Sequence, residues 1–146
     1  MPKIHADCAF HIGSQHLRNG LPCQDYAIAG DLPDRAYAVV SDGCSSGGRT
    51  DVGARLISLA AAKAFRSQNI DIGHFVYGID SASAFFDLNQ SDMLATLLSM
   101  SVTQDEVFIR VQGDGVVSGC ESFDRGGAAG PELLPGERVA AGVGEH

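Results

Sequence analysis

Asp42-Gly43 is the pair best placed for chemistry. It ends a short apolar, β-leaning run, Ala36 to Val40, and opens a small-residue turn, Cys44-Ser45-Ser46-Gly47-Gly48, before a helical pattern begins near Thr50. A carboxylate leaving a strand into such a turn stands where α/β layers usually present a ligand site. Three chemistries compete for the turn. Gly43-Cys44-Ser45-Ser46-Gly47 satisfies Gly-x-Ser-x-Gly, which would make Ser45 the exposed nucleophile of a strand-turn-helix elbow. Gly43 to Thr50 also reads as a phosphate-cradling loop, with Arg49 where that motif wants lysine. Arginine's broad fork does not replace a compact ammonium there. In the third reading Asp42 is a metal ligand, with the Gly43 carbonyl beside it and a second carboxylate arriving from elsewhere. An ordinary glycine-rich β-to-α connection is the plain alternative to all three.

Asp25 is the candidate for the second carboxylate. Cys23 to Ala29 reads as a strand, and Asp31, Pro33 and Asp34 mark a tight connection into the Ala36 run, so the two strands form a hairpin. The start of one hairpin strand lies beside the end of its partner, which puts Asp25 and Asp42 at one edge. Two carboxylates gathered there are costly without a cation between them. Asp114, between Gly113 and Gly115 at another strand end, is a third acidic candidate. Cys8, Cys23, Cys44 and Cys120 show neither a Cys-x-x-Cys pair nor zinc-finger spacing and read as free thiols. Cys44 is either a reactive thiol or a small filler of the turn.

The elements that must position these groups fit a single domain of 146 residues. A net charge of −8 argues against a nucleic-acid or anionic-membrane surface. With no signal-peptide pattern and no long apolar run, a cytoplasmic protein is expected. Lys3 to Ile12 leans towards a strand, and Gly13 to Pro22 towards a polar loop. Thr50 or Ser46 can cap the helix that follows the turn, with Asp51 suiting its dipole and Val52, Leu56, Leu59, Ala60 and Ala64 as its packing face. Phe75, Val76, Ile79, Phe85, Phe86 and Leu88 suggest a second helix, broken near Gly78, with the aromatics in the core and His74 on the surface or in packing. Asp92 to Val102 and Val107 to Val111 read as a second hairpin across Thr103 to Glu106. A short helical turn is expected around Glu137 to Ala141.

Four stretches, taken in order, resemble the metal-dependent protein phosphatases of type 2C in their bacterial form. They are Gly20-Leu21-Pro22-Cys23-Gln24-Asp25, Val39-Val40-Ser41-Asp42-Gly43, Asp92 to Leu98 (DMLATLL) and Gln112 to Val117 (QGDGVV). The resemblance covers about residues 4–117 and matches the first half of that family's domain. It implies an α+β fold, a β-sandwich of two antiparallel sheets flanked by helices in four αββα layers, here incomplete. Residues 1–117 would be the partial domain and 118–146 a glycine-rich, loosely ordered tail. The resemblance also implies two manganese or magnesium ions at one end of the sheets. Asp42 would bridge both ions, the Gly43 carbonyl would bind one, Asp25 would orient a metal-bound water, and Asp114 would help to hold a weaker ion. Gln24 stands where many relatives carry a glutamate ligand.

Oxygen ligands suit magnesium or manganese better than zinc. Two such ions, about 3.5–4 Å apart, lower the pKa of a bridging water and clamp phosphoryl oxygens during in-line attack. No protein nucleophile is then needed, and Ser45 and Cys44 become turn residues. The elbow reading has only His74 and His146 downstream.

Two departures from the family pattern stand out. Relatives often carry a phosphate-binding arginine where this chain has Gly20, so Arg18 or His16 becomes the candidate to hold substrate phosphate. The family also takes two further metal-binding aspartates from its second half, and here only Asp124 follows Asp114. The expectation is therefore a truncated or frameshifted member, or a shortened relative that kept a binding role. Sheet edges left without partners would favour self-association. The leading functional reading is a manganese- or magnesium-dependent hydrolase acting on phosphoserine or phosphothreonine in a phosphoprotein substrate. A non-catalytic phosphoprotein- or partner-binding module and a serine hydrolase using Ser45 are the alternatives.

Overall fold

Alternating burial builds the sheet. In β2 (Ala36–Asp42), Tyr37, Val39 and Ser41 turn to one face and are buried there. The computed structural model describes residues 4–67, 72–118 and 139–142. β2 pairs on one side with β1 (Asp25–Asp31) and on the other with β3 (Leu97–Val102), which pairs in turn with β4 (Val107–Gln112). All three pairings are antiparallel, in the order β1-β2-β3-β4. Both expected hairpins form, and the protein is α+β.

α2 (Thr50–Arg66) covers the Tyr37–Val39 face. Tyr37, Val39, Ala61, Ala62, Phe65 and Leu97 make the buried core, with Phe75 and Phe108 packed against it. The Tyr37 and Phe65 rings stack at 5.6 Å, and Phe108 meets Phe65 edge-on at 6.3 Å. The helix contact differs from the expected one. Its buried stripe is Gly53, Ala54, Ser58, Ala61, Ala62 and Phe65, while Leu59 is exposed. Small residues let the helix axis come close to the sheet, and one large ring at the far end fills the remaining space.

Other expectations give way as well. Ile4 to Ile12 forms no strand; His5 and the Ala6 amide instead bond the Asp31 carboxylate at 2.7 and 2.9 Å. The polar loop after it contains α1 (Ser14–Asn19), closed by Gly20 in the left-handed region at φ 65°. α3 (Ile72–Phe85) runs through Gly78 without a break. Of its aromatics only Phe75 reaches the core; Phe85 and Phe86 are exposed and pack edge to face on each other at 5.1 Å. The start of the expected Asp92 strand is a 3₁₀ turn, Gln90–Met93. The side chain of His74 lies outside the described residues.

The chain divides into two compact units, Met1–Asp114 and Gly115–His146. In the second, β5 (Val116–Ser118) pairs antiparallel with β6 (Val139–Gly142). Val139 to Ala141 are thus strand rather than the expected helical turn, while Glu137, Cys120 and Asp124 lie outside the described residues. Among the described residues no helix is long and apolar enough to cross a membrane.

Phe65 is 2% exposed and packs on the rings of Tyr37 in β2 and Phe108 in β4, so Phe65→Ala should cost about 3–5 kcal/mol of stability, read as a fall in the urea midpoint with an unchanged slope. A loss below about 1 kcal/mol would show that this ring does not anchor α2.

Candidate metal centre

The β1–β2 register puts Asp25 directly opposite Asp42. Like charges facing across an antiparallel pair repel. The strain is visible in Asp42, whose carboxyl is pushed up from 3.8 to about 6. Burial is the main cause, followed by a hydrogen bond with the Asp25 carboxyl and the charges of Asp25 and Asp114; His16 opposes them. In the metal-free protein the Asp42 carboxyl therefore holds its proton to higher pH than an ordinary aspartate. A divalent ion between Asp25 and Asp42 would replace that proton and relieve both the repulsion and the desolvation.

Backbone contacts hold Asp42 in place. Its amide donates to Thr96 Oγ1 at 3.0 Å, and its carbonyl accepts from the Thr96 amide at 2.8 Å. The buried Ser41 hydroxyl donates to the Thr96 carbonyl at 2.6 Å. Gly43 follows, bridged to Ala95 and donating its amide to the Gln24 carbonyl at 3.1 Å. A Cβ on Gly43 would lie 2.7 Å from the Thr50 carbonyl oxygen, so no other residue fits this close approach. The Gln24 side chain is committed elsewhere: Nε2 donates to Thr50 Oγ1 at 2.8 Å, and Thr50 Oγ1 donates to the Cys44 carbonyl at 3.0 Å. That chain ties the start of β1 to the start of α2 across the turn. Neither Thr50 nor Ser46 caps α2 with its side chain, contrary to expectation.

Of the remaining candidates, Asp114 and His16 come within electrostatic reach of Asp42. Gly113, at φ 97°, turns the chain after β4 just before Asp114. Arg18 is drawn back onto its own helix, where Nε donates to the Ser14 carbonyl at 3.2 Å and Nη2 to Ser14 Oγ at 3.3 Å. Ser45 lies exposed on the turn. Cys44 is also exposed, and its thiol is held below its usual range, first by the Ser46 hydroxyl at 3.1 Å. Cys8, Cys23 and Cys44 are free, as read from their spacing.

Among the described residues, no group of three or more His, Cys, Asp or Glu side chains is gathered tightly enough to hold an ion. The fit to a divalent cation therefore rests on the Asp25–Asp42 pair. Oxygen donors of this kind, completed by water, suit a hydrated magnesium or manganese ion.

Asp92, which by residue type reads only as the start of a strand, is a further carboxylate beside the turn. It is 3% exposed and accepts the Arg49 amide at 2.6 Å, the Asn89 amide at 2.9 Å and Arg49 Nη2 at 3.2 Å. The backbone N–H of Arg49, ahead of that of Asn89, holds its carboxyl below the usual range. In return the Asp92 amide donates to Asn89 Oδ1 at 3.3 Å, completing a capping box. The Asn-x-x-Asp spacing was the available signal.

Asp42's raised value has a consequence for the metal-free protein. Between about pH 4 and about pH 6 the folded chain keeps a proton that the unfolded chain has released, so this group's stabilisation is lost as pH rises through that window. Melting temperatures across the window should therefore fall more steeply in the parent than in Asp42→Asn. Parallel profiles would contradict the raised Asp42 carboxyl.

A sequence profile of the family described as Protein phosphatase 2C matches residues 12–122. No curated protein matches the chain, and no solved structure does. The matched span holds both hairpins, the Asp42-Gly43 turn and Asp114. It covers well over half of the sequence, and the chain belongs to the protein phosphatase 2C family.

Proposed function

We propose that this chain is a manganese- or magnesium-dependent phosphatase of phosphoserine and phosphothreonine in proteins. The observation that carries the reading is the Asp25–Asp42 pair, two carboxylates forced together at the end of a hairpin within a family-matched segment. Asp42 and the Gly43 carbonyl are its proposed metal ligands, Asp25 its water-orienting carboxylate and Asp114 a ligand of a further ion. When bound, such ions activate water and neutralise charge on the phosphoryl group. The chain's own part is to fix Asp42 by the Thr96 contacts and to keep the turn close to the strands through Gly43. His16, whose charge is felt at Asp42, is the proposed contact for substrate phosphate; Arg18, bonded to Ser14, is poorly disposed for it.

A second reading, a module that binds a phosphoprotein or another partner without hydrolysing it, draws on a specific observation. Gln24 occupies the place of a frequent glutamate ligand and spends its amide on Thr50.

Hydrolysis of an aryl phosphate separates the two. The phosphatase reading expects turnover that requires manganese, falls to background in Asp42→Asn and survives in Ser45→Ala. Folded, soluble protein without turnover would favour the binding module. Turnover that persists in Asp42→Asn but is lost in Ser45→Ala would restore the serine-nucleophile chemistry. Loss of phosphate affinity in His16→Ala but not in Arg18→Ala, read as KM, would support the phosphate contact; the reverse would move it to Arg18.

A further inference from the structure

The residues from Asp87 to Thr96 run alongside the Asp42–Thr50 turn and are bonded to it repeatedly. The Thr96 amide donates to the Asp42 carbonyl at 2.8 Å, the Cys44 amide to the Leu94 carbonyl at 2.8 Å, and the Gly48 amide to the Ser91 carbonyl at 3.1 Å. At the far end stands the Asp92 carboxylate, buried, with the amides of Arg49 and Asn89 on it. It lies at the N-terminus of α2, where a helix leaves amides without partners and favours negative charge. Arg49 adds its guanidinium, which also donates to the Asp87 carbonyl at 2.6 Å, but that side chain is 55% exposed. The contact that reaches the turn's backbone is the one to the Arg49 amide. A Cβ on Gly48 would collide with Asp92 Oδ1, so the turn and the carboxylate are fitted to each other.

We infer that Asp92 is a positioning residue for the Asp42-Gly43 turn: by fixing the Arg49 amide at the turn's far end, it holds Asp42 and the Gly43 carbonyl in the orientation that binds the cation. The metal part of this inference rests on the phosphatase reading above. The turn is pinned at Asp42 by Thr96 and at Arg49 by Asp92, with Cys44 to Gly48 spanning the two. Releasing the second pin leaves the Arg49 amide, at the start of α2, without its acceptor and loosens the far end of the turn, which then keeps only the Cys44–Leu94 and Gly48–Ser91 backbone bonds. Asparagine cannot substitute, because it has one oxygen for two inward-facing amides and would press an NH₂ donor against the other.

The test compares the parent with Asp92→Asn, Arg49→Ala and Gly48→Ala, all well below their melting temperatures. Manganese affinity is read by electron paramagnetic resonance, and amide hydrogen exchange is followed over residues 43–49. Asp92→Asn should weaken manganese binding about 10–100-fold, the range for groups that orient metal ligands. Exchange should quicken in the turn but not in β2. In turnover, the manganese concentration for half-activation should rise while kcat at saturating manganese recovers, which a merely structural loss of active protein would not produce. Arg49→Ala keeps the backbone amide and should lose much less. Should Asp92→Asn fail to fold, Gly48→Ala displaces the same carboxylate without removing it and should act in the same direction. Parental manganese affinity in both Asp92→Asn and Gly48→Ala would overturn the inference, as would an equal loss in Arg49→Ala. If the parent itself binds no manganese, the phosphatase reading falls and with it the metal role. Exchange in the metal-free protein then decides the positioning role: quicker turn amides in Asp92→Asn sustain it, and unchanged ones overturn it.

Discussion

Two carboxylates held across a hairpin end set the terms for the rest of the structure. Antiparallel pairing places Asp25 opposite Asp42, and partial burial, with the Asp25 carboxyl beside it, raises the Asp42 carboxyl. A folded chain tolerates such a pair by sharing a proton or by binding a cation. The neighbouring contacts hold the Asp42 end of the pair. Thr96 takes both backbone groups of Asp42, the Ser41 hydroxyl is spent on the same residue, and Gly43 lets the Thr50 carbonyl approach where no side chain could stand.

The core explains how this end of the sheet is held. A stripe of small residues on α2 lets the helix lie close to β2, so the helix N-terminus arrives within bonding distance of the turn. Gln24 and Thr50 join strand to helix on one side, and Asp92 joins the helix start to the 3₁₀ turn on the other. Packing and polar contacts are thus coupled, because the same glycines and alanines that lower the helix onto the sheet bring the carboxylates' supports within reach.

The parts of the fold legible in the sequence were those with local signals. Asp31, Pro33 and Asp34 announced the first hairpin, and Thr103 to Glu106 the second, so the opposition of Asp25 and Asp42 followed from strand pairing alone. The family was legible in four ordered motifs, and the profile match over residues 12–122 agrees with it. Long-range packing was not legible. Large apolar residues on α2 suggested a face around Leu56 and Leu59, whereas the sheet selected the side bearing Ala54, Ser58, Ala61 and Ala62. Phe85 and Phe86 look like core by residue type, yet they end a helix whose inward contact is already supplied by Phe75. Asp92 read as the first residue of a strand because its partners, the amides of Arg49 and Asn89, are backbone groups that residue types do not advertise.

The Asp25–Asp42 pair is proposed as a cation site. A crystal of the protein grown with manganese, with anomalous scattering recorded at the manganese edge, tests it most directly. The account predicts an anomalous peak within about 2.0–2.6 Å of an Asp42 oxygen, the span of magnesium-like to calcium-like oxygen contacts. The peak should lie beside the Gly43 carbonyl, with Asp25 reaching the ion directly or through water. A well-ordered turn with no peak, or a peak held by other carboxylates, would contradict it.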